Sequence, residues 1–343
     1  MAANAGGRFD PMDLIRAVGG RDNPDLLPDL RLESYTFEQM FGRAPAVFWN
    51  VPGTVTLLAG GRQRLTVASR WGAKVAAEPR SDGLIEPVSL NVPGEPVLLT
   101  VEEAAGGGGP AFAAEGLRSA RAGATLLINT DLPEGSGLGA GEAAQTGIRL
   151  ALDDLAGAGG LGRGSAADGS GEDAGHYAVG TARLGGQLMP FDLAAAGLRL
   201  VIIDTRIRQA APPADTEQSP MEDAAAALAA GQIAALGPML TAAHAALAPD
   251  EVQHVAVAAA LEAGALGARM VVDGCGRPVC ALVRAPELAD VRTGVCRAFA
   301  ARGLRMPRFL TVAPADHRPR RVGATASGDR ASGVLADKGA HGQ

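Results

Sequence analysis

Between Thr130 and Ala144 the chain reads TDLPEGSGLGAGEAA, with glycines at positions 135, 137, 139 and 141. An apolar run, ATLLINT, precedes it, and GEAAQTGIRLALDDLAG follows with apolar residues at helical spacing. A strand, a glycine-rich turn and a helix N-terminus together make a general anion cradle. Glycine permits positive φ and close backbone approach, N–H groups converge on phosphate oxygens, and the helix end adds partial positive charge. On this reading Pro133, Gly135, Gly137, Leu138, Gly139, Ala140 and Gly141 are the candidate phosphate-binding residues. The run is not a Walker P-loop, since no Gly-Lys-Ser/Thr follows, and it does not fit G-x-G-x-x-G. Tight connections with glycine caps can look the same, so the surrounding segments decide.

Those segments alternate in type without a regular strand–helix–strand repeat, which predicts an α+β fold. YTFEQMFGRAP reads as a short amphipathic helix ending near Gly42, after a loose extension over residues 1–34. AVFWNVPGTVTLLAG, RLTVASRWGAKVAAEP and PVLLTVEEA read as strands, and LRLVIIDTRI as the clearest buried strand. Residues 156–175 are Gly/Ser-rich and lack an apolar period, the composition of a flexible linker. The Ala-rich stretch from Ala224 to Ala248 has the length of a membrane span. Its larger apolar residues fall near one face, however, which predicts a helix in water, broken around Pro238. EVQHVAVAAALEAGA and ELADVRTGVCRAFAARG read as helices, ARMVVDGCGRPVCALV as two strands around a glycine turn, and RFLTVAPA as a last strand. From about His317 a disordered tail is expected.

The 343 residues suffice for two modest domains, and with only 3% aromatic residues the core must be assembled from many small contacts. A net charge of −6 lacks the basic footprint of a nucleic-acid-coating protein. Three cysteines without paired spacing argue for a reducing compartment, and the N-terminus shows no apolar signal region. The expectation is a cytoplasmic protein with neither nucleic-acid nor membrane partners. Cys275 and Cys280 lack a zinc-site spacing and read as packing residues.

Several collinear segments resemble the galactokinase branch of the GHMP kinases. PEGSGLGAGEA (Pro133 to Ala143) is similar to that family's phosphate loop, P-x-G-x-G-L-S-S-S-A, and PGTVTLLAGGRQR (Pro52 to Arg64) to its first motif, PGRVNLIGEHTDY. PFDLAAAGLRLVIIDTR (Pro190 to Arg206), LTAAHAAL and EAGALGARMVVDGCGRPVCALV resemble its central strand, a helix and its third glycine motif. VCRAFAARGLRMPRFLTVAPA resembles its closing helix and strand, so the likeness runs from 37 to 315. The resemblance implies a two-domain GHMP-kinase-like fold. Residues 35–180 would form the domain holding the glycine loop and 181–316 a ferredoxin-like domain, with the tail at 317–343. It also implies ATP and magnesium as cofactors, a sugar or nucleotide as the small-molecule partner, and Gly274 and Gly276 of the third motif near substrate.

The pattern breaks where the family keeps its chemistry. Its arginine beside the transferred phosphate corresponds to Thr54, and its Glu, His and Asp of the first motif to Gly60, Gly61 and Gln63. The three loop serines become Gly139, Ala140 and Gly141, followed by Glu142, whose carboxylate suits a helix N-terminus and occupies the charge niche of a phosphate. No counterpart of the family's G-I-M-D-Q segment is present; Asp173, in the Gly/Ser linker, is the nearest substitute base. In the third motif TGGGFGG has become VVDGCGR, and the retained His244 reads as structural. The expectation is therefore a galactokinase homologue that is catalytically impaired or inactive, with no catalytic residue assigned and weakened ATP and magnesium binding. It would act as a sugar- or nucleotide-binding or regulatory protein; an active sugar kinase with a rebuilt site is the alternative.

Overall fold

The computed structural model describes residues 28–92, 94–132, 138–157, 181–208, 219–247, 250–271, 276–315 and 318–322. Helix α1 (Pro28–Phe41) leads into β1 (Val47–Gly60) and β2 (Gln63–Pro79), a long antiparallel pair, and then β3 (Leu84–Ser89) and β4 (Leu99–Thr100). Helices α2 (Val101–Ala105) and α3 (Ala114–Leu117), strand β5 (Ala124–Thr130) and helix α4 (Ala140–Gly157) follow. The hairpin of β6 (Thr181–Leu184) and β7 (Gln187–Pro190) precedes β8 (Leu198–Asp204), then α5 (Met221–Ala229), α6 (Leu236–Ala246) and α7 (Glu251–Glu262). The described chain closes with β9 (Gly267–Met270), β10 (Val279–Arg284), α8 (Leu288–Ala301), β11 (Arg308–Thr311) and β12 (Arg320–Val322).

Two mixed layers result, consistent with the α+β expectation. The first sheet runs β12-β1-β2-β5-β3-β4, with β6 and β7 added beside β2; the second runs β11-β8-β10-β9 and is wholly antiparallel. Register shifts at Pro52/Gly53 and Thr56/Leu58 bend the β1–β2 pair. Below the first bend, Val51, Ala73 and Val75 pack on Ile148 and Ala151 of α4. Beyond it, Val55, Leu57, Leu65 and Val67 share one apolar cluster with Leu200, Ile202 and Leu282 of the second sheet and with α5 and α6. The opposite face of that sheet buries Val201, Ile203, Ala281 and Val283 under α7 and α8. Being covered on both faces is why β8 reads as a continuous apolar run.

Several elements depart from the sequence reading. The run PVLLTVEEA is a two-residue strand followed by a helix, because Thr100 and Glu103 form a reciprocal capping box. Helix α1 begins at Pro28, inside the stretch expected to be loose to residue 34, and packs Phe37 and Phe41 against Phe48 and Leu127. Arg320–Val322, expected as tail, pairs with β1, and Arg321 Nε lies 2.5 Å from Asp154 Oδ2. The hairpin at 181–190, assigned by sequence to the second domain, is hydrogen-bonded into the first sheet. The Ala-rich stretch breaks at Gly231–Gln232, and Pro238 sits in the first turn of α6, where its missing N–H costs nothing. Among the described residues no helix is long and apolar enough to cross a membrane. The linker at 156–175 lies outside the described residues from 158 on.

Candidate functional site

The glycine loop joins the end of β5 to the start of α4. Pro133, Gly135 and Gly137 lie outside the described residues; Leu138, Gly139, Ala140 and Gly141 lie within them. Leu138 is fully buried and anchors the loop in the core shared by the two sheets. Gly139 has φ +65°, and a Cβ there would stand 3.0 Å from the N, O and Oγ1 of Thr54. Both conformation and contact demand glycine, and both bring the loop onto the first motif. Its carbonyl takes the first helical hydrogen bond of α4, from Ala143 N at 2.9 Å. At Gly141 the space is open, with nothing within 4 Å of an added Cβ, so a serine there is excluded by neither packing nor φ. Glu142 is exposed in the first turn of α4, on the favourable side of the helix dipole.

The approach to the loop is fixed by contacts that sequence reasoning missed. Lys74 Nζ lies 2.8 Å from Asp131 Oδ1, with the side chains only 8% and 26% exposed. Asp131 N also donates to Gly72 O at 3.0 Å, so the last residues before the loop are held from β2 twice. The signal was present: a lysine inside the apolar run WGAKVAA needs a buried partner or an exit to water. Asn91, just after β3, clamps the same end of β5, accepting from Thr130 N at 2.7 Å and donating to Thr130 O at 2.9 Å. Beside this clamp lies a cavity of about 300 Å³, lined by Pro87, Val88, Val92, Val97, Pro110 and Phe112 among others.

The first motif is built differently at its two ends. Thr54 is partly exposed against Gly139, with a short neutral side chain. Gly60 pairs with Gln63 across the β1–β2 turn at Gly61 and Arg62, and Gly61 has φ +59°. The segment before α5 folds over this tip: Ser219 N donates to Ala59 O at 2.9 Å. A Cβ on Gly60 would stand 2.7 Å from Met221 Cγ and 2.9 Å from Ser219 O. Any side chain at Gly60 therefore collides with α5's first residue.

In the third motif Gly276 is described, with φ +103°, while Gly274 lies outside the described residues. Val271 N donates to Pro278 O at 2.8 Å, closing the turn. The Arg277 carbonyl accepts from Thr205 Oγ1 at 3.0 Å and Gln253 Nε2 at 3.1 Å, while the Arg277 guanidinium reaches Asp250 at 2.7 Å. Arg269, fully buried on β9, was passed over by the sequence reading. Its Nε donates to Met270 O at 2.9 Å and its terminal nitrogen to Leu57 O at 2.8 Å, joining the second sheet to the first motif's strand. His244 is 5% exposed and accepts from Met270 N through Nδ1 at 3.3 Å. Burial above all, then His254 and Arg269, lowers its pKa from 6.5 to about 4, which favours the neutral ring at neutral pH. Asp173 lies outside the described residues.

No family model matches the sequence. A galactokinase of Streptomyces coelicolor is 27% identical over 368 aligned positions, covering 81% of this chain and 95% of the relative. A galactokinase of Streptomyces lividans is 29% identical over 181 positions, 37% of this chain and 45% of that one. Among solved structures, Lactococcus lactis galactokinase complexed with galactose superposes with TM-score 0.67 at 17% identity, over 84% of this chain and 98% of its own. Methanococcus jannaschii mevalonate kinase follows with TM-score 0.52 at 11% identity, over 80% and 100%.

Proposed function

Because the chain is a galactokinase homologue with the fold of the GHMP kinases, we propose that it is a nucleotide-binding member of that group that has lost phosphoryl transfer. The contrast between its two half-sites carries this reading. Gly139 has the positive φ that a phosphate loop uses and an apolar cavity lies beside the Asn91 clamp on β5, whereas Met221 and Ser219 fill the space at Gly60, where the family carries a sugar-binding acid. Thr54 brings no positive charge to the transferred phosphate, and loss of a transition-state arginine alone costs on the order of 10³–10⁵ in rate. In this reading the adenosine part of ATP or ADP occupies the cavity by Phe112 and Val88, and backbone N–H groups of the loop take the phosphates.

Magnesium does not fit the residues present. Positions 139–141 offer no hydroxyl, Asp131 is committed to Lys74, and among the described residues no three His, Cys, Asp or Glu converge. The protein thus acts as a sensor or scaffold of nucleotide state. The competing reading, an active sugar kinase with a rebuilt site, draws on the 95% coverage of the Streptomyces coelicolor relative. Titration calorimetry with ATP and ADP, with and without magnesium, and separately with galactose, tests the proposal. It expects nucleotide binding little changed by magnesium and no heat from galactose. Tightening by magnesium together with galactose binding would overturn it.

A further inference from the structure

At one end of the second sheet the chain gathers positive charge that the kinase-like cleft does not use. Asp204 ends β8 and is 1% exposed; its carboxylate takes both arms of Arg208, at 2.7 and 2.9 Å, and the Arg206 N–H at 2.8 Å. Arg308 stands directly opposite Asp204 in the β11–β8 register, and Arg305 lies three residues before it, both exposed. Arg206 carries the one positive φ of a non-glycine residue among the described residues, +63°. Such a conformation costs about 1–3 kcal/mol and persists where surrounding contacts impose it. Here the Asp204 carboxylate, accepting from the Arg206 N–H, is such a contact. Desolvation, then the charges of Arg305 and Arg308, lower the Arg206 pKa, with Asp204 opposing them and Arg208 adding to them.

Asp204 carries one negative charge, which Arg208 already contacts with both arms, so it cannot balance Arg206, Arg305 and Arg308 as well. Among the described residues the side chains of Arg206, Arg305 and Arg308 form no ion pair. Three guanidiniums at one strand end, in a chain of net charge −6, concentrate positive potential at one place, which attracts an anion. We propose that Arg206, Arg305 and Arg308 form a second anion site, separate from the glycine loop, that takes a small soluble ligand bearing one or two phosphoryl groups. Guanidinium forks match phosphoryl oxygens two at a time, and three of them around one strand end suit a diphosphate better than an extended polyanion. The overall negative charge of the chain disfavours a membrane surface or a nucleic acid as occupant.

The test is calorimetric titration of the full chain with inorganic pyrophosphate, in parallel with vesicles containing anionic lipid. The expected result is saturable pyrophosphate binding that weakens as salt is raised, with vesicle binding absent. The double substitution Arg305→Ala/Arg308→Ala, at two exposed positions, should weaken it more than about tenfold, the order lost with a charge-assisted hydrogen bond. Arg305→Lys/Arg308→Lys, which keeps the charge but not the fork, should fall between. The double-alanine variant leaves the glycine loop intact, so any pyrophosphate binding that it retains belongs to the loop, which keeps this outcome apart from that of the nucleotide reading. Equal pyrophosphate binding by wild type and the alanine variant, or binding to vesicles alone, would overturn the proposal.

Discussion

Acidification should destabilise this protein through His244, and the size of the effect follows from its surroundings. The ring is 5% exposed, and its Nδ1 is used as an acceptor by Met270 N. Among the described residues its Nε2 has no hydrogen-bond partner, and the His254 ring stands edge-on at 5.3 Å. Protonation would put a proton on the nitrogen that now accepts, breaking the bond to Met270 N, and would add a charge near Arg269. Burial first, and these neighbours second, bring the folded pKa to about 4 from the ordinary 6.5. The unfolded chain therefore binds more protons than the folded one between those two values, so stability rises with pH across that window. As pH falls through it stability is lost, by about 2.5 kcal/mol at pH about 4.5 relative to neutral pH. Urea unfolding of wild type and His244→Gln at several pH values measures this. Glutamine can still accept from Met270 N but does not titrate, so its stability should fall less steeply below pH about 6.5. Parallel curves for the two proteins would refute the reasoning.

Three further substitutions probe the fold and the cradle. Arg269→Met keeps most of the volume but leaves the Leu57 and Met270 carbonyls without their donor, and should cost about 2–4 kcal/mol in chemical denaturation. Gly60→Ala places a methyl 2.7 Å from Met221 Cγ and should cost about 1–3 kcal/mol, with partial rescue by Met221→Ala, read by melting temperature in a double-mutant cycle. Glu142→Ser removes a carboxylate beside the helix N-terminus and should tighten ATP binding several-fold by calorimetry, since like charge no longer opposes the phosphates.

What the sequence disclosed and what it hid divide along physical lines. The strand–loop–helix around Gly139 was legible because its period changes from strand to helix across a glycine run, and β8 because a strand covered on both faces is apolar throughout. The β6–β7 hairpin carried a signal that went unread, Gly185–Gly186 between short alternating runs, both glycines at positive φ. The Thr100–Glu103 capping box was likewise written in the sequence and went unread within PVLLTVEEA. The closing of Gly60 by Met221 was not legible: it joins residues 161 positions apart, and composition near Gly60 says nothing about what covers it. Departures from the galactokinase pattern could be seen residue by residue, whereas the filling of the space at Gly60 required the fold.

The central claim is that a nucleotide cradle persists here without the machinery to transfer a phosphoryl group. The most direct test is ADP release by the purified chain at high protein concentration, with MgATP, in the presence and absence of galactose. The account predicts no galactose-dependent release, even though ATP binds. Release that requires galactose, scales with protein and disappears on Asp173→Asn would contradict it and establish a rebuilt active site.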